Sequence, residues 1–232
     1  AVVEEAIHAI TLKPSDVNFL KKHTSLFRPL LIDIGSGYVF RPVSCVLRNP
    51  LHSLYALLGS RDSSLVDRIS HSREEWIRHH LYAMYEGARY QRVDGNIKIR
   101  KDGKIITDID ACIYDNLTGE LALIQIKWQN YFSNDVKKIR SRAKNFITEI
   151  NKWTEKIEGW LNSQEISNII KTLQLKGATE KLTKSKIYLF GLSKNAARMQ
   201  GYGYDFNNER IAVGTWPQFV RNRIEIGPAS QV

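Results

Sequence analysis

The spacing of apolar residues predicts two helices in the second half of the chain. In SREEWIRHHLYAMYEGA, apolar residues recur at helical intervals, at Ile77, Leu81, Met84 and Ala88. This spacing is typical of an amphipathic helix. A longer helix is predicted from Val136 to Trp160, where apolar residues recur with alternating steps of three and four.

Between these helices the apolar period changes to two, which is the period of half-buried strands. Three segments show it, namely YQRVDGNIKIRK, KIITDIDACIYD and ELALIQIKW, and the turn formers of DNLTG separate the last two. After the long helix come an amphipathic segment, QEISNIIKTLQL, an apolar run typical of a strand buried on both sides, KIYLFGL, and another strand, ERIAVGTW. The predicted core order is therefore helix, three strands, long helix, strand.

The first 70 residues show a different pattern. AVVEEAIHAI, PSDVNFLKKH and PLHSLYALLG predict helical segments, and RPLLIDIGSGYVFRPVSCVL predicts two strands around Gly35-Ser36-Gly37. We expect residues 1–70 to form a small α+β subdomain that serves as a cap or contacts a partner. Residues 71–232 are expected to form a mixed α/β domain whose central sheet is flanked by helices.

The composition is that of a basic globular protein. The chain has 34 Lys and Arg against 24 Asp and Glu, and a net charge of +10. Such a surface attracts polyanions, of which nucleic acid is the commonest large one. No long uncharged apolar run indicates a membrane span or a signal peptide. Cys45 and Cys112 do not suggest a disulfide framework, so we expect a reducing compartment such as the cytoplasm.

Charged and amide side chains interrupt the apolar pattern of TDIDACIYDNLTGELALIQIKW. If the turn centres on residues 116–119, Asp110 lies across from Gln125 and Asp108 lies across from Lys127. The period of two then puts these four side chains on one face and leaves the other face to Ile109, Ala111, Ile124 and Ile126. A one-residue bulge would change the partner of Asp108, so the pairing of Asp110 with Gln125 is the firmer expectation.

Carboxylate and amide oxygens are suitable ligands for a hard divalent cation. Mg²⁺ keeps several waters and needs few protein ligands, and Mn²⁺ can substitute for it. Such an ion polarises a phosphoryl oxygen and lowers the pKa of a water molecule. Lys127 would point into the same space, where it could orient the attacking water or stabilise developing negative charge. The pattern therefore favours metal-dependent hydrolysis of a phosphodiester.

Asp110, fourteen intervening residues and then Gln125-Ile126-Lys127 resemble the signature of the PD-(D/E)XK, or restriction-endonuclease-like, nuclease superfamily in its Gln-x-Lys variant. The resemblance covers about residues 70–192, and the element order that it implies agrees with the predicted order. It implies a nuclease in which Asp110 and Gln125 hold the metal and Lys127 assists catalysis. Gln125 replaces the more common Glu, which weakens metal binding unless another acid helps.

The family often takes that acid from its first helix, where Glu74 and Glu75 compete for the role. At about 100° per residue, Glu74 shares a face with the apolar residues, whereas Glu75 points away from it. Glu75 has another explanation, because Ser72 and Glu75 fit the capping-box pattern S-x-x-E. We favour Glu74 as the metal ligand; Glu75 stays open, and Glu86 is the third choice.

The long helix begins with a run of basic residues. A charge run on a helix is usually a solvated face. Here three of them project along one flank of the apolar seam, near the proposed metal, so we predict contact with a nucleic-acid backbone. The predicted nucleic-acid-binding residues are Lys137, Lys138, Arg140 and Lys144.

The residues and the resemblance together predict a Mg²⁺-dependent nuclease that hydrolyses phosphodiesters with a metal-activated water, with DNA as the favoured substrate and endonuclease action as the favoured mode. The alternative is a catalytically degenerate nuclease-fold module that binds nucleic acid or a protein partner, and a basic assembly protein is a third possibility. The choices between DNA and RNA, and between endonuclease and exonuclease, stay open at this point. So do a homo-oligomeric state and further domains of a longer protein.

Overall fold

The computed structural model describes residues 4, 7–8, 11–16, 18, 31–43, 63–128, 136–178, 181–194 and 211–226. Within these, the side chains of 16, 63–71, 136–139 and 223–226 are not described. The predicted helical segment PLHSLYALLG lies outside the described residues, as do most of AVVEEAIHAI and PSDVNFLKKH. The chain divides into two compact units, residues 1–71 with 131–133, and residues 72–130 with 134–232.

The first unit contains a small three-stranded sheet. Its strands are β1 (Thr11–Leu12), β2 (Leu31–Gly35) and β3 (Tyr38–Phe40), and a 3-10 helix spans Pro14–Asp16. β1 pairs with β2 in parallel, and β2 pairs with β3 in antiparallel orientation. The predicted hairpin around Gly35-Ser36-Gly37 is therefore confirmed. Gly35 and Gly37 adopt φ of 88° and 80°, a conformation that glycine adopts without strain.

The remaining helices and strands make the protein a mixed α/β fold. Along the chain they are α1 (Ser63–Ala83), β4 (Tyr90–Val93), β5 (Ile97–Lys101), β6 (Lys104–Ile109), β7 (Ala111–Asp115), β8 (Leu121–Lys127), α2 (Val136–Ser163), α3 (Ile166–Thr172), a 3-10 helix (Lys184–Lys186), β9 (Ile187–Ser193), β10 (Ile211–Thr215) and α4 (Trp216–Ile226). The predicted α/β class is confirmed. Among the described residues, no helix has both the length and the apolar character needed to cross a bilayer.

Five strands form the main sheet in the order β10-β9-β8-β7-β4. β8, β9 and β10 run parallel to one another, whereas β7 is antiparallel to β8 and β4 is antiparallel to β7. β5 and β6 form a separate two-stranded antiparallel ribbon. The carboxyl ends of the parallel strands therefore lie at one edge of the main sheet.

The three strands predicted between the helices are five in the structure, because a break divides each of the first two. The first strand is interrupted at 94–96 and the second at Asp110. Three residues between Val93 and Ile97 therefore lie opposite the two residues between Ile109 and Cys112. Such an irregularity bends a hairpin. Asp108 pairs with Lys98 of β5 on one side, and on the other side the pairing with β8 begins only at Ala111 and Ile124, after the break. The predicted position of Asp108 across from Lys127 is therefore wrong.

The turn between β7 and β8 confirms the predicted hairpin register. Ala111 pairs with Ile124, the register that places Asp110 beside Gln125. Gly119 in this turn has φ of 74°, and a Cβ atom there would lie 2.7 Å from the carbonyl oxygen of Lys181. Only glycine fits so close an approach, so the turn residue helps to hold the register.

Helices cover both faces of the main sheet. On one face, α2 packs against Cys112, Tyr114, Leu121 and Leu123, and on the other face α1 packs against Ala111, Ile113, Ile124 and Ile126. Ile109 belongs to the cluster of α2, contrary to the predicted alternation, because the break at Asp110 shifts the phase of the strand. Tyr188 of β9 is 43% exposed, so the prediction that KIYLFGL is buried on both sides is only partly met.

Candidate functional site

Asp110 and Gln125 meet at the bend of the hairpin. Asp110 occupies the break between β6 and β7, and its Oδ2 accepts a hydrogen bond of 2.6 Å from Nε2 of Gln125. The same oxygen accepts a bond of 2.7 Å from the backbone N–H of Ile126. Asp110 is 7% exposed and Gln125 is 2% exposed. The hairpin register thus brings together the two residues that the sequence predicts as metal ligands.

The amide oxygen of Gln125 has no such bond. Its Oε1 is buried and, among the described residues, has no hydrogen-bond partner. An unsatisfied buried oxygen costs about 1–3 kcal/mol, so its presence needs an explanation. A hard cation would supply one, since the neighbouring carboxylate of Asp110 has a second oxygen, Oδ1, which accepts only a long bond of 3.4 Å from Asn96 among the described residues. This donor set fits Mg²⁺, which completes its shell with waters.

Asn96 connects the two aspartates that flank the break. Its Nδ2 donates to Oδ2 of Asp108 over 2.9 Å and to Oδ1 of Asp110 over 3.4 Å. The sequence analysis did not single out Asn96. The signal was present, because Asp94-Gly95-Asn96 is a run of turn formers inside a predicted strand. Asp108 is therefore joined to Asp110 through Asn96 and not through a cross-strand pair with Lys127.

The site raises the pKa of Asp110 from 3.8 to about 7. Burial is the main cause, because it disfavours the charged form. The charges of Asp108 and Glu74 act in the same direction, whereas the bond from Ile126 and the charge of Lys127 lower the pKa. Near neutral pH this carboxyl group can therefore exchange its proton for a cation.

Lys127 lies at the carboxyl end of β8. It is half-buried and pairs with Ser193 in the neighbouring parallel strand β9. Its charge acts on the pKa of Asp110. In sheets with helices on both faces, ligands bind beyond the carboxyl ends of the parallel strands. Lys127 thus lies where a ligand bound at the carboxyl edge of the sheet could reach toward Asp110 and Gln125.

The structure distinguishes Glu74 from Glu75. Glu74 is half-buried, and its Oε1 accepts a 3.2 Å bond from the backbone N–H of Trp128. The side chain of Glu75 is 71% exposed and forms an ion pair of 3.8 Å with Arg78. The capping-box explanation is wrong, because α1 begins at Ser63 and Ser72 lies inside the helix. Glu74 is thus the helix acid that faces the carboxyl edge of the sheet.

The acidic residues do not converge on one point. Among the described residues, no three His, Cys, Asp or Glu side chains lie close enough together to hold a metal ion. Glu86 is exposed and follows the end of α1. A metal here would therefore depend on the carboxylate of Asp110, the amide oxygen of Gln125 and water molecules.

The four predicted nucleic-acid-binding residues of α2 fall into two groups. Arg140 and Lys144 are exposed and lie one turn apart on the same flank of the helix. Lys137 and Lys138 lie in α2, but their side chains are not described. The helix is tied to the bend of the hairpin, since Nε1 of Trp153 donates a 2.7 Å bond to the backbone oxygen of Asp108.

Fold and site together define an α/β protein with a buried carboxylate and carboxamide pair at the bend of a hairpin. Comparisons with protein-family models, with curated proteins and with solved structures found no match to this chain. Its function is therefore argued from the site.

Proposed function

We propose that this protein is a Mg²⁺-dependent nuclease that hydrolyses phosphodiester bonds in DNA. Its core would be restriction-endonuclease-like, built from α1, the bent hairpin with β8, α2 and β9. The observation that carries the proposal is the buried contact of Asp110 with Gln125, together with the unpartnered amide oxygen. Lys127 follows two residues later on the same strand, at the edge that a substrate can reach.

In this proposal Asp110 and Gln125 hold the ion, and Glu74 contributes from α1. A bound Mg²⁺ would polarise the scissile phosphate and make a water molecule a better nucleophile. The N–H of Trp128 engages Oε1 of Glu74, which leaves Oε2 for the ion or one of its waters. Because Gln125 is neutral, the pair carries one negative charge, so the proposed site binds the ion weakly until DNA phosphate joins it.

Lys127 is assigned the role of orienting the attacking water. Its ammonium would also stabilise the negative charge that grows on the phosphate oxygens in the transition state. We expect Lys127→Met to lower the rate of Mg²⁺-dependent nicking of a supercoiled DNA circle by about 100-fold, with DNA affinity little changed. The conversion of circle to nicked form measures the rate, and omission of Mg²⁺ should abolish it.

The matched control for this test is Lys152→Met. Lys152 is an exposed lysine of α2 that is not among the predicted nucleic-acid-binding residues. It should nick at the wild-type rate. Equal rates for Lys127→Met and wild type would remove Lys127 from the mechanism, and the absence of nicking by the wild-type protein with any divalent ion would contradict the proposal.

The basic flank of α2 is assigned to the DNA backbone. Each phosphate contact releases counterions, which adds about 0.9 to the slope of log affinity against log salt concentration for duplex DNA. The double change Arg140→Gln and Lys144→Gln should therefore weaken DNA binding and lower this slope by about two. Fluorescence anisotropy at several salt concentrations gives the slope. An unchanged slope would show that this flank is only a solvated surface.

A second candidate function is a degenerate nuclease-fold module that binds nucleic acid without cleaving it. The observation in its favour is that no three acidic, His or Cys side chains converge among the described residues. Salt-sensitive DNA binding without nicking in Mg²⁺ or Mn²⁺ would favour this candidate. Nicking that requires the metal would exclude it.

A further inference from the structure

A cluster of cations and aromatic rings lies at the same sheet edge as Lys127. Because β8 and β9 are parallel and Lys127 pairs with Ser193, the residues that follow these strands lie side by side. They are Trp128 and Lys194, and α1 contacts them with two further residues. We define the cation-aromatic cluster as Arg73, Trp76, Trp128 and Lys194.

Two cations share the faces of the two indole rings. Nζ of Lys194 lies 3.7 Å from the ring centre of Trp128 and 5.9 Å from that of Trp76. The guanidinium of Arg73 lies 5.2 Å from the ring centre of Trp128. Both distances to Trp128 are within the range of cation-π attraction. Lys194 and Arg73 thus lie beside the same indole ring in a half-buried position, where one phosphate could contact both cations.

The environment of Lys194 also favours a negative charge nearby. Burial, and then the charge of Arg73, lower the pKa of Lys194. Among the described residues, no carboxylate forms an ion pair with Lys194. A phosphate would supply a negative charge beside Lys194, and it would leave the ring contacts in place.

Trp76 provides a surface for a flat ligand. It is 46% exposed and belongs to neither apolar cluster of the sheet. Its ring contacts the ring of His80 in a tilted arrangement, with ring centres 4.0 Å apart and an angle of 38° between the ring planes. His80 is held in place by a contact of 2.8 Å between its Nδ1 and the backbone oxygen of Trp76. An exposed aromatic pair on a rigid helix, next to two cations, has the character of a base-stacking platform.

We propose that the cation-aromatic cluster binds an unpaired nucleotide, whose base stacks on Trp76 and whose phosphate contacts Lys194 and Arg73. Bases of duplex DNA are stacked on each other and are not open to such a contact, so the ligand is a single-stranded stretch. This inference rests on the proposed function in one respect, because it makes single-stranded or branched DNA the preferred substrate of the site at Lys127.

The test measures binding of labelled oligothymidylate and of a duplex of equal length by fluorescence anisotropy in EDTA. Trp76→Ala should weaken single-strand binding by about tenfold, while duplex affinity changes by less than about twofold. Lys194→Gln should weaken single-strand binding and lower its salt slope by about 0.7. Trp76→Phe keeps an aromatic face and should retain most of the affinity.

The matched control is Tyr188→Ala, which removes an aromatic residue of similar exposure from β9. It should bind both strands as the wild type does. An oligouridylate arm distinguishes RNA from DNA as the source of the unpaired base, and the loss caused by Trp76→Ala must appear with whichever strand binds more tightly. Circular dichroism checks that each variant is folded.

Two results would overturn the inference: single-strand affinity unchanged by Trp76→Ala, or an equal loss for single strand and duplex. The second would reduce the cluster to a general phosphate contact. Because EDTA removes cleavage from the assay, the proposed nuclease activity is tested separately. If Trp76→Ala loses single-strand binding and the wild type does not nick DNA, only the proposed nuclease activity is contradicted. If the wild type nicks DNA and Trp76→Ala keeps its single-strand binding, only this inference is contradicted.

Discussion

Asp110→Asn should abolish Mg²⁺-dependent cleavage of DNA, with a loss of rate of about 1000-fold or more. The physical reason is the loss of the one buried charge that can attract the ion to this position. Asn keeps a carbonyl oxygen that can accept the bond from the N–H of Ile126, so the bend of the hairpin should survive. DNA binding in EDTA should therefore be unchanged.

Nicking of a supercoiled circle again provides the measurement. A matched control is Asp102→Asn, in the turn between β5 and β6. Asp102 has φ of 51°, a conformation that Asn tolerates, and its side chain is exposed. This variant should cleave at the wild-type rate. Cleavage that persists in Asp110→Asn would show that the catalytic metal, if there is one, binds elsewhere.

The stability of the metal-free protein should fall as the pH rises from about 4 to about 7. In this window the unfolded chain has lost the proton of Asp110, while the folded protein still holds it, because the pKa is raised from 3.8 to about 7 in the folded state. The folded state binds more protons, so each increase in pH favours unfolding. The loss reaches about 4 kcal/mol at most, at about 1.36 kcal/mol per pKa unit, and is complete above about pH 7.

Urea denaturation in EDTA at about pH 5 and about pH 8 measures this effect. Asp110→Asn should remove the pH dependence that Asp110 contributes, whereas Glu155→Gln, an exposed change on α2, should keep it. Mg²⁺ should stabilise the wild type more at the higher pH, since there it binds the carboxylate without displacing a proton. The same pH dependence in Asp110→Asn and wild type would contradict this account of the buried carboxyl group.

Much of the fold could be predicted because local patterns carry it. The apolar rhythm from Val136 to Trp160 predicted α2, which runs from Val136 to Ser163. The turn formers of DNLTG and the alternation on either side predicted the register of β7 with β8. In each case the burial of one face decides the structure, and the spacing of apolar residues along the sequence shows which face is buried.

The interruption of the strands could not be predicted from that period alone. Apolar and polar residues alternate without a gap around Asp110, yet the strand is interrupted there. The interruption arises because the opposing strand carries the turn formers of 94–96. A bend depends on both strands at once, so a pattern in one of them does not reveal it. The consequence for the site is that Asp108 does not pair with Lys127, because the pairing of β7 with β8 begins after the break.

The candidate site divides in the same way. Asp110 and Gln125 are brought together by a register that could be predicted, and Glu74 faces the sheet as the helical period indicates. Asn96 and Lys194 were missed. Lys194 follows β9, far from Trp128 along the chain, so no local spacing relates the two. Asn96 is only 14 residues from Asp110, but its turn-forming neighbours indicated a turn and not a bond to Asp110.

By itself, then, the sequence determined where α2 and the β7–β8 hairpin form and that a carboxylate and a carboxamide share one face of that hairpin, because these features depend on neighbours along the chain. Only the tertiary structure decided that the hairpin bends at Asp110, that the amide oxygen of Gln125 is left without a partner among the described residues, and that Lys194 lies on Trp128. These features arise where segments distant in sequence pack together, and packing between segments is set by the whole fold.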